Sequence, residues 1–298
     1  MAYDWLGASI LPSSITYGLA FIALLIGSIT DLKTREVPDW VNYGLICSGV
    51  ALNLLFSIIY SNPSFILSSI IGLAIFFVIA YVMFYAGQWG GGDSKMLMGI
   101  GAIIGIKPSF SQQFLAGFFI NALLVGAAYG LLWSMMLAVK NKRKFIKELR
   151  KELSKKAIVN IKKFLIAGIV LIVVLSWLLR GNPLSLVLLM LAFLALCSFY
   201  LFALVRAVEK SSMYKLVEPS KLTEGDWIVK NVVVDKKYVT GPKDLGISKS
   251  QIRKLVELHR KGKVKKILIK EGIPFVPSFL IAFIITFLFG NVLILLIQ

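Results

Sequence analysis

Histidine occurs once, at His259, and cysteine twice, at Cys47 and Cys197, with no CxxC spacing. That supply cannot furnish the ligands of a zinc site, and the two thiols, each inside an apolar run, read as small apolar fillers without a disulfide. A Walker phosphate loop is missing too, so neither a metal nor a nucleotide cofactor is expected. Acidic residues are scarce: 15 Asp and Glu stand against 33 Lys and Arg, a net charge of +18. The chain has no internal repeat and no low-complexity tract.

Apolar residues are abundant, at 58% of 298 positions with a mean hydropathy of +0.82. Several runs are long enough to cross ~30 Å of hydrocarbon. The fold class expected is therefore an α-helical polytopic membrane protein. Eight spans are predicted, at 12–30, 41–60, 65–85, 95–106, 114–139, 164–179, 184–205 and 275–297, the fourth being short. The first is expected to be a permanent helix and not a cleaved signal, because its leader carries Asp4 and no Lys or Arg. Lys and Arg mark cytoplasmic loops. Threading eight spans from an outside N-terminus leaves only Lys107 and Arg180 outside, and losing the fourth span would put Asp93 and the basic Lys140 segment on opposite sides. The excess positive charge lies beside membrane helices, so anionic lipid is the partner it fits, not nucleic acid.

Five regions follow: an N-terminal membrane domain (1–139), a basic segment (140–163), further membrane helices (164–205), a small cytoplasmic α+β domain (206–273) and a C-terminal membrane helix (274–298). The basic segment carries eleven Lys and Arg against Glu148 and Glu152, with apolar residues spaced as on an amphipathic helix at the inner leaflet. In the α+β domain, 227–229, 232–234 and 264–269 read as strands. Ile252, Leu255, Val256 and His259 share a helical face behind a Ser248/Gln251 capping box, with His259 bordering that face as a structural residue.

Carboxylates are costly near hydrocarbon, which singles out Asp31 and Asp93, each where an apolar span meets a polar loop. Asp31 opens the stretch Asp31-Leu32-Lys33-Thr34-Arg35-Glu36-Val37-Pro38-Asp39-Trp40-Val41-Asn42. Asp93 lies in Gly90-Gly91-Gly92-Asp93-Ser94-Lys95. Taken singly, each has a plain structural explanation, a helix flank for the first and a flexible turn for the second. The three glycines also permit close backbone approach and dihedrals closed to other residues.

Together the two motifs resemble the type IV prepilin peptidases, the GxGD aspartyl proteases of membranes, and among them the archaeal prepilin and preflagellin peptidases. Arg35, Val37-Pro38-Asp39 and the tail Ile273-Pro274-Phe275-Val276-Pro277 before a last helix extend the likeness. The cysteine tetrad and methyltransferase of bacterial members are not evident in this sequence. The resemblance implies endoproteolytic removal of leader peptides from prepilin-like or prearchaellin-like subunits at the cytoplasmic face, with Asp31 and Asp93 as the catalytic carboxylates. Gly90, Gly91 and Gly92 would place backbone and dock the peptide. Lys95 matches a frequent basic residue of the family, and Pro274 and Pro277 would shape the mouth of the site.

The chemistry needs the pair: an ionised carboxylate takes a proton from water while a protonated one polarises the scissile carbonyl. Asp31 at the C-terminal end of the first span and Asp93 at the entrance to the fourth make Asp93 the expected resting base and Asp31 the protonated partner. The rival reading is a secondary transporter or channel using both carboxylates as ion or proton sites. It predicts mid-membrane carboxylates on broken helices and internal duplication, and neither is seen in the sequence.

Overall fold

The computed structural model describes residues 4–106 and 114–295, with side chains from residue 11 onward; Lys107 and the end of the expected last span lie outside the described residues. The chain is a polytopic helical membrane protein with a small sheet region. Among the described residues, six helices are long and apolar enough to cross a membrane: α1 (Asp4–Thr34), α2 (Asp39–Ile59), α3 (Ser64–Tyr85), α5 (Phe114–Lys140), α7 (Lys156–Leu178) and α8 (Pro183–Val208). Shorter are α4 (Gly91–Ile104), α6 (Lys142–Leu153), α9 (Lys249–Arg260), α10 (Val276–Phe289) and α11 (Val292–Leu295). Two compact units result: residues 1–131 with 272–298, and residues 132–271.

In the first unit the fourth expected span is a core helix. α4 has 14 residues, about 21 Å at the usual rise. Met96, Leu97, Ile100, Ala102 and Ile103 on it are wholly buried. Glycines let its neighbours close on it. A methyl on Gly72 of α3 would lie 2.2 Å from the Gly101 carbonyl oxygen, and one on Gly49 of α2 would lie 2.7 Å from the Ile103 nitrogen. A helix ending inside an apolar layer must have its last carbonyls satisfied. Asn53 Nδ2 donates to Ile103 O at 3.1 Å, Ser69 Oγ donates to Ala102 O at 2.6 Å, and the Ile106 N–H donates to Ser68 O at 2.9 Å.

The last span, expected as one run over 275–297, breaks at Gly290, whose φ is 70°. Asn121 of α5, almost wholly buried, covers the break. Its Nδ2 donates to Gly290 O at 2.8 Å and its Oδ1 accepts from the Val292 N–H at 3.1 Å. Cys47 and Cys197, expected as buried fillers, are instead exposed on the surfaces of α2 and α8.

In the second unit the basic segment is not one helix: α6 ends at Leu153 and α7 begins at Lys156. The carboxylate of Glu152, buried on α6, pairs with Lys155 and Lys210. α8 runs into a short π-helical turn, Glu209–Met213. Five strands follow. β1 (Tyr214–Val217), β5 (Ile267–Lys270) and β2 (Trp227–Ile228) form an antiparallel sheet in the order β1-β5-β2, and β3 (Val232–Val234) pairs with β4 (Lys237–Thr240). β1 and β4 were not expected. Asp235 and Lys236 make the β3–β4 turn with φ of 50° and 61°, the left-handed pair a two-residue hairpin demands. The Ser248/Gln251 capping box forms, and His259 Nδ1 bonds Val264 O at 2.7 Å, a structural role.

Candidate active site

α1 continues one turn beyond the expected end at Thr30. It stops where Arg35 takes φ 63° and its N–H donates to the Asp31 carbonyl at 2.9 Å. Asp31 thus lies in the last helical turn and is only 6% exposed. Its Oδ2 accepts from the Val276 N–H, the first residue of α10, at 3.0 Å. Pro274 and Pro277 flank this donor, which puts the proline-rich tail beside Asp31.

Asp93 is the third residue of α4, and its Oδ2 accepts from the Gly90 N–H at 3.0 Å, half of a capping box. The two carboxylates are close enough for their charges to interact. Two contacts bring them there. A methyl on Gly27 of α1 would lie 2.6 Å from Met96 Cε and 3.3 Å from Val276 Cγ1, and one on Gly92 would lie 3.3 Å from Val37 Cβ. Both carboxylates therefore sit beside a helix N-terminus, Asp31 beside α10 and Asp93 within α4. At Asp31 the start of α10 opposes the end of α1, so helix ends alone do not make Asp93 the resting base and Asp31 the protonated partner.

The glycine triplet corrects a second expectation. Gly90 is extended at φ −72°, ψ 167°, Gly91 and Gly92 open α4, and none of the three has a positive φ. The residue that needs one is Gly87, at φ 67°, where α3 ends. Close approach explains Gly92 against Val37, whereas at Gly91 a methyl would meet nothing nearer than 3.9 Å.

Lys95 Nζ pairs with Asp39 Oδ1 at 2.6 Å and lies over the Tyr43 ring, 5.0 Å from its centroid. This ties the start of α2 to that of α4.

Sequence reasoning missed several neighbours. Trp89, 4% exposed, packs on Phe279 and Phe275 with centroids 5.4 and 6.2 Å away, pinning the glycine loop to α10. Phe275 in turn lies against Gly126, where a methyl would be 2.5 Å from its ring. Tyr129 of α5 interacts electrostatically with both Asp31 and Arg35, and Arg35 Nη1 donates to Gly272 O at 3.2 Å. Trp89 directly precedes the triplet and was visible as such; Tyr129, deep in an apolar run, carried no signal.

Residues 18–131 match the type IV leader peptidase family. Curated relatives include a preflagellin peptidase of Methanococcus voltae, 41% identical over 97 residues, and one of Methanocaldococcus jannaschii, 39% identical over 90. These matches cover 33% and 30% of this chain and 40% and 38% of the relatives. A prepilin peptidase of Methanothermobacter thermautotrophicus is 26% identical over 98 residues, 33% of this chain and 26% of the relative. The chain thus spans about two fifths of the length of the first two relatives. No solved structure matches. The match to the type IV leader peptidase family therefore lies in the first unit and takes in both Asp31 and Asp93.

Proposed function

We propose that this protein is an aspartic endopeptidase that removes the leader peptide of prepilin-like or prearchaellin-like precursors at the cytoplasmic face of the membrane. The observation that carries the reading is the approach of Asp31 and Asp93, from the ends of α1 and α4, each held by backbone N–H donors: Asp31 by those of Val276 and Phe275, Asp93 by that of Gly90. Two carboxylates so close share a proton more readily than both ionise. The ionised member takes a proton from water as the oxygen attacks the scissile carbonyl, and the protonated member donates to the carbonyl oxygen. Collapse of the tetrahedral adduct breaks the C–N bond: the leaving nitrogen receives the proton held by the first carboxylate, and a hydroxyl of the adduct returns its proton to the second. Lys and Arg flanking the helices support the cytoplasmic assignment.

The deciding experiment is co-expression with leader-bearing precursors, scored by mobility shift. Wild type cleaves, while Asp31→Asn and Asp93→Asn insert normally and do not; retained cleavage in either variant removes the dyad. Cysteine labelling at positions 147 and 243, after replacement of Cys47 and Cys197, should occur only from the cytoplasmic side.

A further inference from the structure

Asn42 is wholly buried in the first turn of α2, and neither its Oδ1 nor its Nδ2 has a hydrogen-bond partner among the described residues. Ser28 of α1, 4% exposed, has an Oγ in the same condition. Each unmade bond of this kind costs about 1–3 kcal/mol, and an apolar residue would avoid it. Two such groups in one helix bundle call for a shared purpose.

Their positions follow from packing. α2 and α4 run in the same direction and in step: Val37 meets Gly92, Asp39 pairs with Lys95, Leu45 lies on Gly99, and Gly49 on Ile103. Asn42, Leu45, Gly49 and Asn53 share one face of α2, at spacings of three and four. Asn42 therefore faces α4 near Met96, one turn beyond Asp93. Gly27 of α1 touches that same Met96, which sets Ser28 at this level and one turn from Asp31. By this register each orphaned group lies about one helical turn from the level of a carboxylate of the pair.

Given the dyad proposed above, we infer that Asn42 is a positioning residue for it: the Asn42 carboxamide and the Ser28 hydroxyl together hold a buried water that hydrogen-bonds Asp93. A carboxamide offers two donors and an acceptor, a hydroxyl one donor and two lone pairs, and a buried water makes about three bonds. The water completes the Asp93 carboxylate, which also accepts from the Gly90 N–H, and fixes its orientation toward Asp31. The other charged or titratable groups around the pair, Arg35 and Tyr129 beside Asp31 and the Lys95–Asp39 pair beside Asp93, are distinct from this contact.

The test uses the full-length protein in membranes, with Asn42→Leu, Asn42→Thr and Ser28→Ala. Asn42→Leu should melt at or above the wild-type temperature, cleave a leader-bearing precursor at least tenfold more slowly and displace the limbs of the pH–rate profile; Asn42→Thr should recover part of the rate. The infrared band of the protonated dyad carboxyl, recorded without substrate, should move in Asn42→Leu and, less, in Ser28→Ala, which stands in should the leucine variant not insert. A wild-type cleavage rate in Asn42→Leu overturns the inference, and so does an unmoved band whatever the rate. If wild type cleaves no precursor, the endopeptidase reading falls, and the band alone decides the role of Asn42.

Discussion

Asp31 accepts a hydrogen bond from the backbone N–H of Val276, a donor 245 residues further along the chain. α1 and α10, from opposite ends of the chain, thus meet at a carboxylate. The Val276 side chain is also wholly buried, against Gly27, so donor and packing can be separated. Val276→Ala keeps the N–H and should cost about 1–3 kcal/mol of stability while sparing most cleavage. Val276→Pro removes the donor at the first residue of α10, a position that lacks an intrahelical acceptor, and also strains Phe275, whose α-region backbone (φ −104°, ψ −24°) a following proline disfavours. It should lower cleavage at least tenfold more than Val276→Ala does, measured on inserted protein. Equal rates in the two variants would show that the bond is dispensable.

The glycines around α4 differ in what they tolerate. Gly72→Ala drives a methyl to 2.2 Å from a backbone oxygen, so α3 and α4 must separate. A loss of about 1–3 kcal/mol is expected, with cleavage falling as Asp93 shifts. Gly91→Ala meets nothing nearer than 3.9 Å in a helical conformation and should be neutral or stabilising by about 0.5–1 kcal/mol. Thermal melts of both variants check this. Cleavage by Gly91→Ala carries separate information: a stable variant that fails to cleave would show the substrate backbone lying against Gly91.

The helices themselves were legible because lipid-facing runs announce themselves by composition, and α2, α3 and α5 begin and end within two residues of expectation. Asp31 and Asp93 were legible because carboxylates are conspicuous in apolar surroundings. What escaped depends on contacts between distant segments. Arg35 ends α1 by adopting φ 63°, which no helix-stop residue foretells, and the Gly290 break is sustained by Asn121, 169 residues away. The glycine triplet read as a flexible turn with dihedrals closed to other residues, yet the positive φ is at Gly87 and the triplet serves close approach and helix entry. β1 was hidden because its partner, β5, lies more than fifty residues on.

Lys95 and Asp39 offer a test of coupling. Their side chains are 33% and 65% exposed, so the pair adds no more than about 1 kcal/mol to stability. Its effect on cleavage should come from holding α2 against α4. Lys95→Gln and Asp39→Asn should then lower the rate by similar factors, with the double variant no worse than either, the mark of two residues acting as one unit. A far larger loss in Lys95→Gln would place the ammonium on the substrate instead.

The α+β domain should be acid-sensitive through Asp244. One carboxylate oxygen accepts from Thr240 Oγ1, the Gly241 N–H, Gln251 Nε2 and Tyr238 Oη at 2.9–3.1 Å. Partial burial pushes the Asp244 carboxyl up, but these four donors outweigh it and hold the group below the ordinary carboxylate range. With the folded value below the unfolded one, Asp244 contributes its stability above about pH 4 and loses it as pH falls through the folded value. Hydrogen exchange across residues 237–260 should be uniform from neutral pH down to about pH 5, after correction for intrinsic rates, and accelerate below about pH 4. Asp244→Asn removes the charge and turns an amide donor toward a cluster of donors, so protection at neutral pH should fall by about 1–3 kcal/mol and its acid dependence should flatten. Unchanged protection at neutral pH together with the same acid limb would assign the acid sensitivity of this domain to another carboxylate.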